Sequence, residues 1–269
     1  MAIKLIAIDL DGTLLNDQKE LNPATIAAIT AAKAAGIKVV LCSGRPLTGV
    51  RKFLRQLQLT DAGDFAISYN GAMVQHTDTG AAVVASTISY ADYRRIQDLA
   101  DTLGVHAHVL DDKQLYTANA DISKYTVREA YLVDMPLFYR LPDSFPADKR
   151  FVKVMLIDDP DLLANAAQQI PATFHQDYYI VNSEPFFLEF MNKSVSKGNA
   201  VTTLAKHLNL SMAEVMAIGD RENDLSMIQA AGTGVAMGNA IPEVKAAAQV
   251  VTATNENDGV AQAIREYAL

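Results

Sequence analysis

The stretch Leu5-Ile6-Ala7-Ile8-Asp9-Leu10-Asp11-Gly12-Thr13 sets two carboxylates two positions apart at the end of an unbroken apolar run. Apolar residues without alternation read as a central strand of a parallel sheet, covered on both faces. Ligands of open α/β sheets bind beyond the carboxyl ends of such strands. The spacing lets the two acids act separately, since Asp9 can attack an electrophile as a carboxylate nucleophile while Asp11 donates and later removes a proton. Gly12 lets the chain turn back sharply, and its backbone with that of Thr13 can approach an anion. Two acids facing a phosphate would repel it, so this reading requires a cation. Mg²⁺ fits, because it binds through one or two carboxylates plus substrate oxygens and water. The alternative for these residues is plainer: Asp9 and Asp11 end a strand and cap a turn.

The next segments extend the sheet. Asn22 as N-cap, Pro23 in the first turn and Gly36 beyond the end predict a helix, after which 37–41 form a second all-apolar strand. This βαβ unit ends in Cys42-Ser43-Gly44-Arg45, and Pro46 opens a helix with Val50, Phe53, Leu54 and Leu57 on one face. A hydroxyl and free amides thus emerge beside the first strand's aspartates, at a helix start suited to anions; Ser43 as a simple helix cap is the competing reading. A third strand, 65–69, runs into Asn70-Gly71, a strong hairpin signal, with Ala72-Met73-Val74 returning.

Composition bounds the function. The chain has 269 residues, half of them hydrophobic, enough for one large or two medium domains. Lys and Arg number 23 against 31 Asp and Glu, a net charge of −8, which argues against nucleic acid and anionic membranes as partners. No run approaches membrane-spanning length and the first strand is too short for a secretion signal, so a cytoplasmic protein is expected. A single cysteine, Cys42, excludes an internal disulfide, suits a reducing compartment and reads as a core residue.

A composition change marks an insert. Residues 83–190 hold 15 of the 19 Phe and Tyr residues and most of the prolines, and the alanine-rich helical pattern weakens there. Strands are predicted at 82–84, 152–157 and 186–190, helices at 93–103 and 162–170, which together describe an α+β insert. Beyond it the βα rhythm resumes: Ser196-Lys197-Gly198 precedes an amphipathic helix, and the strand 215–218 ends in Gly219-Asp220-Arg221-Glu222-Asn223-Asp224. Lys197 stands where a cation could reach a phosphate, Asp220 could complete a metal site with Asp224 in support, and Asn223 could donate to a phosphate oxygen. Each has an ordinary alternative: a solvated lysine, a helix cap, an acidic turn.

Acid pair, hydroxyl, lysine and acid cluster at four successive strand ends resemble the haloacid dehalogenase-like phosphatase superfamily. Asp9 to Thr13 match its first motif, Ser43 its second, Lys197 its third, and Gly219-Asp220 through Asn223-Asp224 its fourth. The insert between second and third motifs, together with Asn70-Gly71 and 232–239, resembles the Cof-type branch with a large cap of the C2B type. The resemblance implies an α/β fold: a Rossmann-like parallel-sheet core, 1–82 and 191–269, with an inserted α+β cap domain, 83–190.

It also implies roles. Asp9 becomes a phosphoaspartate and Asp11 serves as acid and base; Ser43, Lys197, Asn223 and the amides of Leu10 and Gly44 hold phosphate oxygens. Mg²⁺ is bound through Asp9, the Asp11 carbonyl and Asp220, with Asp224 orienting the shell. Such a division of labour suits phosphoryl transfer, which needs in-line positioning and charge cancellation. The implied reaction is Mg²⁺-dependent hydrolysis of small phosphomonoesters, sugar phosphates above all, with a small phosphorylated metabolite as partner and no statement on oligomeric state. Arg45, Asn70 and His175 are candidates for substrate contact, His175 from the polar-aromatic stretch 173–179. His106 and His108 share strand spacing, but no cysteine or further histidine clusters near them, which argues against a second metal site. A phosphotransferase of the phosphohexomutase type and a non-catalytic phosphometabolite sensor are the alternatives. The intact acid pair speaks against the sensor, because pure binding needs no nucleophile.

Overall fold

Leu5–Asp9 lies at the centre of an eight-stranded sheet, between Lys38–Cys42 on one side and Val215–Gly219 on the other. The strand order is Val250–Val251, Thr233–Ala236, Val215–Gly219, Leu5–Asp9, Lys38–Cys42, Phe65–Ser68, Met73–His76, Ala82–Ala85. The first six run parallel. Residues 2–269 are described by this computed structural model. The chain divides into two compact units, one running to Val84 and resuming at Ser196–Leu269, the other Ala85–Val195.

Burial explains the unalternated first strand. Leu5, Ile6, Ala7 and Ile8 are all fully buried, yet they serve two cores. Ile6 and Ile8 face the helices Pro23–Ala34, Leu47–Gln56 and Gly259–Tyr267 through Ile29, Phe53 and Ile264. Leu5 and Ala7 face Lys197–His207 through Val201 and Leu204. A strand lined by helices on both sides has no face left for polar residues until it ends.

Two local expectations change. Asn22 does precede the helix Pro23–Ala34, but it makes no side-chain cap; its amide accepts from Asn16 and donates to the Asn255 carbonyl. The hairpin joining Phe65–Ser68 to the antiparallel Met73–His76 is not a two-residue turn on Asn70-Gly71. Tyr69, Asn70 and Gly71 all adopt positive φ, 51°, 56° and 100°. Only glycine fits the third, since a Cβ there would lie 2.2 Å from the Ser196 carbonyl oxygen.

The second unit is an α+β arrangement on a six-stranded sheet of order Tyr178–Glu184, Phe187–Asn192, Lys153–Ile157, His106–Leu110, Leu115–Thr117, Leu137–Tyr139. Tyr90–Leu103 opens with a Ser89/Asp92 capping box and, with Pro160–Gln168 and Ala172–Asp177, packs on one face around Tyr93, Val154, Phe174 and Phe190. From the helix Lys124–Val133 on the other side, Glu129 and Thr126 reach two buried side chains of the sheet, Lys153 and His108. Among the described residues no helix is long and apolar enough to cross a membrane.

Candidate active site

The chain extends the sheet from Leu5–Asp9 to one side and, after the second unit, resumes on the other, so the strand order reverses beside Asp9. Parallel strands deliver their carboxyl ends to a common edge: Asp9 pairs in register with Cys42, and Ile8 with Ile218, just before Gly219. Asp9, Ser43 and Asp220 therefore collect at one place, the crevice where α/β sheets bind ligands.

Lys197 is the hub. Ser196 caps its helix through Oγ to the Asn199 amide, which fixes Lys197 as the first helical residue. Its fully buried ammonium donates to Asp9 Oδ1 at 2.5 Å and Asp224 Oδ1 at 2.6 Å. Although burial opposes a charge there, Asp224 and Asp9 hold the Lys197 pKa above its ordinary value. The other Asp224 oxygen accepts from the Asp220 and Arg221 amides at 2.9 and 3.0 Å. Asp220 Oδ1 accepts from the Thr13 hydroxyl at 2.8 Å. Close approach explains two glycines: a Cβ on Gly12, at φ 84°, would sit 2.6 Å from Asp220 Oδ2, and one on Gly219 would sit 2.5 Å from the Asp224 Cβ.

Asp9, Asp220 and Asp224 each offer an oxygen within 4.8 Å of the others, and all three are buried. Burial, and then the Asp224 charge, push the Asp9 carboxyl from 3.8 up to about 8, against the pull of Lys197. Asp220 is likewise raised, first by burial. Three buried carboxylates facing one ammonium are short of positive charge, and an all-oxygen donor set suits a hard divalent cation such as Mg²⁺. Asp224 is held by the buried Lys197 and two backbone amides, whereas among the described residues Asp220 Oδ2 meets only the exposed Arg221 guanidinium at 3.3 Å, so Asp9 and Asp220 fit as ligands and Asp224 as the group that aligns them with Lys197.

Asp11 is placed differently. Arg45 grips its carboxylate with Nε to Oδ2 at 2.9 Å and Nη2 to Oδ1 at 2.6 Å, and Lys19 Nζ adds 3.1 Å to Oδ1. Burial alone would raise the Asp11 carboxyl; the bonds to Arg45 and Lys19 outweigh it and hold the group below the ordinary value. Ser43 is buried, its Oγ accepting from the Arg45 amide at 3.1 Å. The Leu10 side chain packs into the core, leaving only its backbone for the site. Gly44 lies under the Asn70 amide, where a Cβ would come within 3.2 Å, and Asn70 Oδ1 accepts from Asn223 Nδ2 at 3.0 Å. Asn70 and Asn223, far apart in sequence, are thus brought together beside Gly44. His175 is exposed on the helix Ala172–Asp177 in the second unit. There His106 bonds Asp158, whereas His108 is buried against Thr126 and Met155, which lowers its pKa to about 3.

Sequence reading missed Thr13 as a side-chain partner of Asp220, and Lys19. Thr13 stands in the acid stretch itself and was open to view. For Lys19, eight residues past Asp11 in a polar loop, no sequence signal exists.

Asp9 and Asp11, the buried Lys197 and the carboxylate cluster with Asp220 and Asp224, at the reversal point of a parallel sheet, fit a Rossmann-like enzyme with a paired-acid site. Residues 6–264 match the model of the haloacid dehalogenase-like hydrolase family. YxeH of Bacillus subtilis, provisionally named a phosphatase, is 48% identical over 266 residues, 99% of this chain and 98% of its own. YcsE of the same organism, named a 5-amino-6-(5-phospho-D-ribitylamino)uracil phosphatase, is 32% identical over 99% of this chain and 96% of its own. A haloacid dehalogenase-like hydrolase from Bacteroides thetaiotaomicron superimposes with a TM-score of 0.85 at 31% identity, covering 98% of each chain. The protein belongs to the haloacid dehalogenase-like hydrolases.

Proposed function

We propose that this hydrolase removes the phosphoryl group from small phosphomonoesters, sugar phosphates foremost, through a phosphoaspartyl intermediate on Asp9 with Mg²⁺ as cofactor. The observation that carries this reading is the buried Lys197 ammonium shared by Asp9 and Asp224, with Asp220 completing the carboxylate cluster. A structural ion pair would need no third buried acid at the end of a parallel strand. Two relatives bear phosphatase names, and the name of YcsE specifies a phosphorylated ribityl compound as that protein's substrate.

Asp9 and Asp220 would hold the cation, which would favour the ionised form of Asp9 and offset charge on the phosphate. An Asp9 carboxylate oxygen attacks phosphorus as the bridging P–O bond breaks, and Asp11 gives its proton to the departing alcohol oxygen. Water then attacks the phosphoaspartate; Asp11 takes its proton, the P–Oδ bond breaks, and inorganic phosphate leaves with Asp9 restored. Lys197, Ser43 and Asn223, with the amides of Leu10 and Gly44, bind the phosphoryl oxygens, where fixed donors stabilise developing charge. We place this work in the cytoplasm.

A set of phosphorylated metabolites assayed for free phosphate, with Mg²⁺ and with EDTA, tests the reading. Metal-dependent release from several sugar phosphates, abolished in Asp9→Asn, is expected. Full activity in that variant, or no release from any ester, overturns it; transfer to a second sugar in place of release would make the protein a phosphotransferase.

A further inference from the structure

Lys19 has no assigned part in the chemistry, yet its side chain reaches the carboxylate proposed as acid and base. We propose that Lys19 is a positioning residue: it pins Asp11 through Oδ1 so that Oδ2 carries the proton to the leaving group. The inference rests on the phosphatase reading above.

Three observations support it. First, Lys19 is a non-glycine residue at φ 61°, in the disfavoured left-handed region. Such backbone persists only where the surroundings enforce it, and it collects at functional positions. Second, the surroundings do enforce it. The Asn16 amide donates to the Glu20 carbonyl and the Lys19 amide to the Asn16 carbonyl, while Asn16 Oδ1 accepts from the Glu20 amide. The loop is tied outward as well: Asn255 donates to the Leu15 carbonyl, Glu256 accepts from the Asp17 amide, and Asn22 links Asn16 to the Asn255 carbonyl. So much tethering is out of proportion to an ion pair whose side chains are 57% and 38% exposed, a kind that contributes little to stability.

Third, the bonds to Asp11 are unequal. Oδ1 accepts from both Arg45 Nη2 and Lys19 Nζ, whereas Oδ2 accepts from Arg45 Nε alone. Were the guanidinium to turn toward a leaving group, Oδ2 would be released and Oδ1 would keep its lysine. Without Lys19 the carboxylate would lose its only remaining tether and rotate, and the proton would arrive off line. Proton transfer by a positioned acid is typically worth about 10²–10⁴-fold in rate. A plain attraction of Lys19 for phosphate would act alike on every phosphate ester.

Leaving-group dependence separates these. The rate of the first phosphoryl transfer, read by rapid quench as alcohol released within one turnover, is compared between glucose 6-phosphate, whose alkoxide needs a proton, and p-nitrophenyl phosphate, whose phenolate leaves with little help, in wild type, Lys19→Met, Lys19→Gly and Lys19→Arg. Glycine adopts the left-handed backbone without strain, so Lys19→Gly keeps the test sound if Lys19→Met misfolds. The expected result is a first-transfer rate on the sugar phosphate lowered by about 10- to 100-fold in Met and Gly variants against about 3-fold or less on the aryl ester, with Lys19→Arg restoring most of the loss; the later hydrolysis, in which Asp11 is the base for every ester, lies outside this readout. Equal losses on both esters, a change confined to KM, or no loss overturn the assignment while leaving the phosphatase reading intact. Wild-type enzyme inert to both esters overturns the two together.

Discussion

Replacing Asp9 by asparagine should stabilise the metal-free protein at neutral and alkaline pH while destroying its activity. Burial and the neighbouring Asp224 charge lift the Asp9 carboxyl from 3.8 to about 8, so in the folded state its ionisation is opposed over about 4 pH units. At about 1.4 kcal/mol per unit, the ceiling is about 6 kcal/mol. Relaxation and water entry around a buried ion reduce such ceilings to a few kcal/mol, and about 2–4 kcal/mol is expected here. The sign follows from proton binding. The folded protein holds a proton on Asp9 that the unfolded chain gives up near pH 4, so wild-type stability falls as pH rises from about 4 to about 8. The asparagine side chain has no proton to lose, and the two proteins should therefore match near pH 4 and diverge until pH 8–9. Urea denaturation at pH 4.5, 6, 7.5 and 9 in EDTA measures this. Adding MgCl₂ should stabilise wild type more than the variant and shrink the gap. A variant that is less stable than wild type at pH 8 in EDTA, or a difference that does not change with pH, would refute the reasoning.

Lys197→Ala removes the cation shared by two buried carboxylates; phosphate release should fall by on the order of 10²-fold or more, and urea denaturation at pH 8 should show a loss of about 3–5 kcal/mol. Gly71→Ala sets a Cβ 2.2 Å from the Ser196 carbonyl at φ 100°; a loss above about 2 kcal/mol is expected, and a melting temperature within 2 °C of wild type, on the order of instrument noise for such a change, would refute the clash. In the second unit Lys153 lies between Glu129 and Glu189 at 3.1 and 3.2 Å, with all three side chains buried. Lys153→Met should cost about 3–5 kcal/mol by denaturation, and replacing both glutamates by Leu as well should recover most of it, because the uncompensated charges go with them.

How much of this was legible in the chain depends on the range of the interactions. Leu5 to Ile8 announce a doubly covered strand because full burial leaves no alternation, and the acids that follow can then only lie at its carboxyl end. Ser43 and Asp220 follow by the same logic, since parallel neighbours end at the same edge. Lys197 was legible by position alone: nothing in Ser196-Lys197-Gly198 announces that the ammonium is fully buried on Asp9. Lys19 was not legible, because its reach to Asp11 depends on a left-handed backbone and on ties to Asn255 and Glu256, more than 230 residues away. Asn22 looked like a helix cap and is spent instead on that same loop. The Lys153 network was hidden for a related reason: sheet pairing sets Met155 opposite both His108 and Glu189, and no local pattern foretells which strands become neighbours.

The two acids of the first motif are held in protonation states opposite to those the first chemical step needs. Asp9, the proposed nucleophile, keeps its proton up to about pH 8, and Asp11, the proposed acid, is held ionised by Arg45 and Lys19. For the proposed reaction to begin, both must invert. Positive charge beside Asp9 and Asp220 would ionise the nucleophile, and withdrawal of Arg45 toward a leaving group would let Asp11 take up a proton. Neither inversion costs the enzyme strain at the moment of reaction, because each is driven by the ligand that the step requires. An ester whose leaving group offers Arg45 nothing to bind should therefore turn over slowly even at saturation, with the deficit in kcat and not in KM. Selectivity would thus begin in the first unit, at Arg45.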